Sequence, residues 1–238
     1  KARWALDWKP VPHVRTNLLP GPHQMRIRRL APGTTTPVLL VDGRAIQGSA
    51  AIIEELERRF PTPPLLPADA RARERALAIQ RRFDDDLGPR IRQALFSRLL
   101  GEGGYMCAMF SEGLPRATRL AYRAMFPVAR RIIARAYQTA DDAAVRHAFD
   151  GVDEALAFVA EEAGDGGFLA GDAFSVADLA AASLLAPIAN PPDSDMTRPE
   201  PMPASLRELT DRYAEHPGTR WVRDTYARWR GPRRGFAH

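Results

Sequence analysis

Apolar positions along the chain follow two rhythms, and the change falls at a run of prolines. Before that run, short apolar stretches alternate with turns. Beyond it, only spacings of three and four residues recur. His13-Val14-Arg15-Thr16-Asn17-Leu18 alternates as a strand does. Pro37-Val38-Leu39-Leu40-Val41 is a second strand, Asp42-Gly43 a two-residue turn and Arg44-Ala45-Ile46 the return strand. Asp-Gly in that setting favours a type I′ hairpin, whose twist suits its strands. A helix then opens at Ser49 and runs to about Arg59, with Ile52, Ile53, Leu56 and Phe60 as its inward positions. At the other end of this region, Lys1-Ala2-Arg3-Trp4-Ala5-Leu6-Asp7-Trp8 is helix-forming sequence with no N-cap and no initiating Met. It reads as a helix entered part-way, so the chain is expected to start late. Between Pro20-Gly21-Pro22 and Ala31-Pro32-Gly33, residues 23–30 form a short basic helix or loop.

Residues 61–67, Pro-Thr-Pro-Pro-Leu-Leu-Pro, predict a stiff extended linker, because proline fixes φ and lacks an N–H. They divide the chain into a domain at 1–60 and another at 68–238. Helices are expected over 68–87, 89–100, 115–139, 141–162, 175–189 and 204–229, the last broken near Pro217. The helix from Asp141 carries Val145, Phe149, Val152, Leu156 and Val159 on one stripe. The glycine-rich stretch Gly101-Glu102-Gly103-Gly104 and the proline-rich stretch 190–203 are expected to be mobile surface loops. The fold class is therefore α/β followed by all-α. Strand, helix, hairpin and helix, in that order, is the thioredoxin plan without its first strand. That strand is central in the plan, and its loss would leave a row of unpaired backbone groups, so it is expected upstream of Lys1.

Composition narrows the function classes. The 238 residues are 45% hydrophobic and 26% charged, as in an ordinary globular protein. No apolar run approaches the roughly 18 residues that span a bilayer, so no membrane role is expected. A single cysteine, Cys107, excludes an intramolecular disulfide and fits a reducing, cytoplasmic setting. The net charge of +5 permits an acidic partner, but 29 acidic residues are interspersed among 34 basic ones, so no nucleic-acid partner is expected. Trp221, Tyr226 and Trp229 with Arg220, Arg223 and Arg228 make an aromatic and basic helix, read here as packing against a bundle. His13, His23, His147, His216 and His238 have no ligand spacing. Asp84-Asp85-Asp86 on a helix point in three directions, so no metal is expected.

Three stretches resemble the glutathione S-transferase superfamily. Thr34-Thr35-Thr36-Pro37-Val38-Leu39-Leu40-Val41-Asp42-Gly43 is similar to a family stretch with a cis proline before the hairpin. Ile46-Gln47-Gly48-Ser49-Ala50-Ala51-Ile52 resembles the family's acid-or-Gln, Ser, x, x, Ile motif, with Gly48 where the family carries the acid or Gln. Gly171-Asp172-Ala173-Phe174-Ser175-Val176-Ala177-Asp178 looks like the family's N-capping box and hydrophobic staple. The opening residues also resemble the family's first helix. In order of elements the likeness covers nearly the whole chain: a truncated thioredoxin-like domain, then a helical bundle like the family's C-terminal domain.

The resemblance implies a glutathione co-substrate held at Thr36, Pro37, Val38, Gln47, Gly48 and Ser49. Val38 would pair with the cysteinyl backbone, and the helix N-terminus at Ser49 would take the γ-glutamyl carboxylate. Read from the residues alone, Pro37 starts a strand and Ser49 caps its helix. Glycine at 48 offers no side chain to the γ-glutamyl amine, and Gln47 is the nearest substitute. Tyr105, Met106, Met109 and Phe110 would wall a pocket for a small apolar electrophile, or form plain core. Ser175 and Asp178 are structural caps. The residue that activates the thiol is expected upstream of Lys1, and a cysteine there would mean thiol transfer or reduction in place of conjugation. The resemblance further implies a homodimer through helices 49–59 and 68–100. A binding module without catalysis is the alternative.

Overall fold

The structure, a computed structural model, describes residues 1–164, 166–196, 198–232 and 235–237, the last three through their backbone only. His238, one of the five scattered histidines, lies outside the described residues. The chain divides into two compact units: Lys1–Leu66 with the segment from Arg230 onward, and Pro67–Trp229.

In the first unit, helix α1 (Ala2–Trp8) is followed by β1 (His13–Arg15), α2 (His23–Ile27), β2 (Val38–Val41), β3 (Arg44–Gln47) and α3 (Ser49–Arg59). Trp4 and Ala5 of α1 and Ile52, Ile53 and Leu56 of α3 are at most 2% exposed, and the two helices pack together. Each such large side chain contributes about 1.5–3 kcal/mol by leaving water. Phe60 departs from the expected stripe and is 40% exposed. It lies past the last turn, at φ −130° and ψ 76°, where the helical period no longer directs its side chain inward.

The strand expected over 13–18 ends at Arg15, and it gains a partner that periodicity did not reveal. Strand β4 (Gly235–Ala237) runs parallel to it, with Val14 opposite Phe236. Among the described residues the strands form two separate two-stranded ladders, β1–β4 and β2–β3. The segment from Arg230, read from sequence as part of the helical domain 68–238, clusters with this unit. Its anchor is an enclosed ion pair. The Arg230 guanidinium donates to Asp7 at 2.9 Å, both side chains are at most 3% exposed, and the cation lies 5.7 Å from the Trp4 ring centroid. The proline run is docked as well. Lys9 donates to the Pro63 carbonyl at 2.6 Å and pairs with Glu57, which accepts from the Leu65 N–H at 2.8 Å. The hairpin forms as expected, with Asp42 and Gly43 both at positive φ, 50° and 72°, the signature of a type I′ turn.

Among its described residues the second unit consists of helices and their connecting loops. The helix expected over 68–87 is α4 (Ala70–Arg82), capped by Asp69, which accepts from the Ala72 N–H at 2.8 Å. A π-helical turn (Phe83–Leu87) then leads directly into α5 (Gly88–Leu99). Pro89 has no N–H for the carbonyl one turn back, and the widened turn just before it absorbs the mismatch. Helix α6 (Gly103–Phe110) replaces part of the expected glycine-rich loop. Two glycines at its start argue against a helix, but burial of Met106, Cys107 and Met109 outweighs their propensity.

Next come α7 (Arg116–Ala136) and α8 (Asp142–Glu162). On α8, Phe149, Val152, Leu156 and Val159 are buried as expected, whereas Val145, in the first turn, is only half-buried. Helix α9 (Val176–Ala189) is the core of the unit, with Val176, Leu179, Leu185 and Ile188 wholly enclosed. Its capping box is present: Asp178 accepts from the Ser175 N–H at 2.8 Å and the Ser175 hydroxyl accepts from the Ala177 N–H at 3.3 Å. The other oxygen of Asp178 takes the Leu169 N–H at 2.8 Å, so one carboxylate ties the preceding loop to the helix. The last helix is split into α10 (Ala204–Arg212) and α11 (Pro217–Trp229), as Pro217 predicts. Gly218 lets α11 touch α8, for a Cβ there would fall on the Leu156 carbonyl.

Candidate functional site

The hairpin register determines what the first unit presents. Pro37 stands opposite Gly48, whose N–H donates to the Pro37 carbonyl at 2.9 Å. Hydrogen-bonded and non-bonded pairs alternate along an antiparallel ladder, so the next pair, Val38 with Gln47, is a non-bonded one. The N–H and C=O of Val38 therefore point away from β3, toward the other edge of β2. That is the arrangement an extended peptide needs to add itself as a strand. Pro37 follows a cis peptide bond, Thr36 is exposed, and Val38 is half-buried.

The same turn of chain delivers a helix N-terminus. Gly48 is the N-cap residue of α3, and its carbonyl accepts from Ile52 at 3.0 Å. The N–H groups of Ser49, Ala50 and Ala51 precede that first intrahelical bond. No side chain caps them and no acid occupies the first turn. Ser49 is thus a first-turn residue, and the cap role read from sequence belongs to the backbone of Gly48. Open N–H groups with the positive end of the helix dipole suit a carboxylate.

Two of the expected contacts also have a part in the local structure. Gln47 braces the loop: its Oε1 accepts from the Gly33 N–H at 3.0 Å and its Nε2 donates to the Thr35 carbonyl at 2.8 Å. Each end of the amide makes one bond, so Gln47 positions the residues before Pro37. Gly48 sits at φ 94°, a conformation side chains resist, although nothing lies within 4 Å of where a Cβ would be. Glycine adopts this conformation without strain.

In the second unit, the four residues read as pocket wall separate into two kinds. Met106 is wholly buried and Met109 nearly so, which makes them core. Tyr105 and Phe110 are half-buried. The Tyr105 hydroxyl has no hydrogen-bond partner, and burial raises its pKa against the opposing pull of Arg198. Arg198 went unnoticed in the sequence, where nothing in the proline-rich stretch marks it. Its guanidinium donates to the Pro187 carbonyl and lies 3.7 Å from the Met202 sulfur, while its Nε has no partner. Burial pulls its pKa down. Cys107 is enclosed, and burial pushes its thiol up against the opposing pull of Arg123. Asp86 faces Arg90 at 3.7 Å, and among the described residues no group of His, Cys, Asp and Glu could hold a metal ion. No helix among them is long and apolar enough to cross a membrane.

Comparison with known proteins gives two matches to family domains. Residues 1–64 match "Glutathione S-transferase, N-terminal domain" and residues 142–230 match "Glutathione S-transferase, C-terminal domain". The probable maleylacetoacetate isomerase of Caenorhabditis elegans is 34% identical over 121 residues, 48% of this chain and 56% of that protein. The maleylpyruvate isomerase of a Ralstonia species is 35% identical over 92 residues, 37% of this chain and 43% of that protein. The match thus spans about half the length of these curated relatives. Among solved structures, the holo form of a maleyl pyruvate isomerase, described as a bacterial zeta-class glutathione S-transferase, superposes with a TM-score of 0.51. It is 25% identical, over 95% of this chain and 91% of that one.

Proposed function

Because the chain belongs to the glutathione S-transferase superfamily, we propose that it is a glutathione-using enzyme whose first unit holds the tripeptide on the Val38 edge and at the start of α3. The observation that carries this reading is the bond from Gly48 to Pro37, which turns the Val38 main chain outward. The cysteinyl backbone of glutathione pairs with Val38, and its γ-glutamyl carboxylate lies at the N–H groups of Ser49 and Ala50. Thr36 and Pro37 shape the approach, Gln47 braces it, and Gly48 leaves the γ-glutamyl amine to water. Calorimetric titration with glutathione tests the proposal. Saturable binding with a rise in melting temperature supports it. No heat and no rise would leave a fold without the ligand, as in a binding module that lacks catalysis.

Two reactions suit such an enzyme: conjugation of an apolar electrophile, and isomerisation of a maleyl acid of the kind in the relatives' names. Bound glutathione supplies a thiolate, a nucleophile able to add to and leave an activated double bond. The second unit favours the acid. Arg198 and Tyr105 each hold an enclosed donor atom without a partner, and a carboxylate, unlike an apolar group, would satisfy such donors. Turnover of a maleyl acid in the presence of glutathione, set against turnover of a chlorinated nitroaromatic, distinguishes the two.

A further inference from the structure

Helix α7 has more apolar surface than its neighbours cover. Its packed stripe is Tyr122, Phe126, Ala129 and Ile133, each at most 8% exposed, and its chief neighbour is α6. Outside that stripe Leu120 is 71% exposed, Val128 55%, Ile132 51% and Met125 39%. These are four of the nine large hydrophobic side chains exposed among the described residues, and all lie on one helix.

The helix is also the most one-sided in charge. Arg116, Arg119, Arg123, Arg130, Arg131 and Arg135 are joined by no acidic residue within it. Among the described residues none of the six makes an ion pair. At about 100° per residue, Arg119, Arg123 and Arg130 fall to one side of the packed stripe. Met125, Val128 and Ile132 fall to the other, with Leu120 and Arg131 facing outward between them.

We infer that α7 docks the protein on an anionic lipid bilayer, the arginines meeting phosphate and carboxylate headgroups while Leu120, Val128 and Ile132 enter the boundary with the acyl chains. Charge selects this occupant. A second copy laid along α7 would bring twelve arginines together. Nucleic acid would satisfy the cations but gives no reason for the exposed aliphatic stripe. An interfacial helix needs both: basic residues flanking a band that buries a few ångströms into the lipid. Such contact requires no membrane-spanning helix.

Sedimentation of the full chain with vesicles of phosphatidylcholine, alone or with about one-third phosphatidylserine, tests the inference. The expected result is binding to the anionic vesicles only, weakened by salt. Val128→Glu with Ile132→Glu, at exposed positions, is expected to weaken binding roughly tenfold or more with the circular dichroism unchanged. Arg119→Glu with Arg123→Glu is expected to do the same. No pelleting, or equal pelleting with neutral vesicles, would overturn the proposal. So would apolar variants that bind as the unmodified chain does, since the attraction would then be charge alone, as for DNA. A fall in solution mass by light scattering in the Val128→Glu, Ile132→Glu variant would assign the face to a second copy instead.

Discussion

Gly48 donates its N–H to the carbonyl of Pro37 at 2.9 Å, and this bond decides which way Val38 faces. It closes the last bonded pair of the β2–β3 ladder. Residues 38 and 40 then turn their main-chain groups outward, and residues 39 and 41 turn theirs toward β3. Two neighbouring residues on the same short strand therefore have opposite uses. One pair of groups holds the hairpin, and the other faces the opposite edge of the strand.

Proline substitution separates the two. Val38→Pro removes an N–H that the hairpin does not use, so the fold is expected to survive, with glutathione affinity reduced about tenfold or more for the lost bond in a sheltered site. Leu39→Pro removes an N–H that faces Ile46, and is expected to lower the melting temperature first. Titration calorimetry beside thermal unfolding reads both. Val38→Pro binding glutathione as tightly as the unmodified chain would put the tripeptide elsewhere.

Gly48→Ala probes the corner from its other side. Nothing stands within 4 Å of the added carbon, so the cost is the backbone conformation alone, φ 94° with ψ 141°, about 1–3 kcal/mol. For a protein of this size that is a fall of several degrees in melting temperature. Larger side chains are expected to cost much the same, because the space is open. A loss that grew with side-chain volume would show that crowding, not conformation, is what selects glycine.

Much of this corner was legible in the sequence. Asp-Gly between apolar runs fixed the hairpin, and the β pairing followed from its length. The helix period of α8 and the Ser175–Asp178 box that opens α9 were equally readable, since each is a local pattern. What escaped was non-local. The partner of β1 is 222 residues away, from His13 to Gly235, and no spacing announces it. Helix α6 is apolar on every side and opens with two glycines, so it has neither period nor propensity. The engagement of both ends of Gln47, and the burial of Arg198 in a stretch that composition marks as loop, depend on tertiary contacts alone.

Asp178→Ala is expected to be the most damaging single change among the caps. It would leave the buried N–H groups of Ser175 and Leu169 without acceptors, at a cost of about 2–4 kcal/mol. Asp178→Asn keeps one oxygen and is expected to cost less. Chemical denaturation gives both values, and equal losses would mean that the oxygen asparagine keeps contributes nothing.

Glu55 sets a pH dependence at the surface of α3. Hydrogen bonds from Arg58 and then Arg59, assisted by their charges, lower its pKa from 4.5 to about 2. A depressed carboxylate stabilises the folded chain above the ordinary value, and that contribution is lost as the pH falls from about 4.5 toward 2. The Glu55 carboxyl carbon, followed by NMR, should reach its midpoint near pH 2. Arg58→Ala with Arg59→Ala should return it toward the ordinary range. A midpoint near 4.5 in the unmodified protein would mean that both pairs are loosened by solvent.

Arg198 offers the sharpest test of the substrate. Its Nε is unsatisfied, its charge lies where burial disfavours it, and the unpartnered Tyr105 hydroxyl feels that charge. If these donors receive a substrate carboxylate, Arg198→Met should raise KM for a maleyl acid roughly tenfold, the usual scale for one charge-assisted bond. Tyr105→Phe should raise it less, because a neutral donor is weaker. Arg198→Lys should recover part of the loss, since the charge returns without the planar fork. Affinity for glutathione should stay unchanged in all three, which separates loss of the acid from loss of the fold. Removing the buried charge should also leave the melting temperature equal or higher, because an unpaired cation is costly to enclose. Unaltered KM in Arg198→Met, with normal glutathione binding, would mean that the acid is held by other residues and that Arg198 serves only to tie the loop to Pro187.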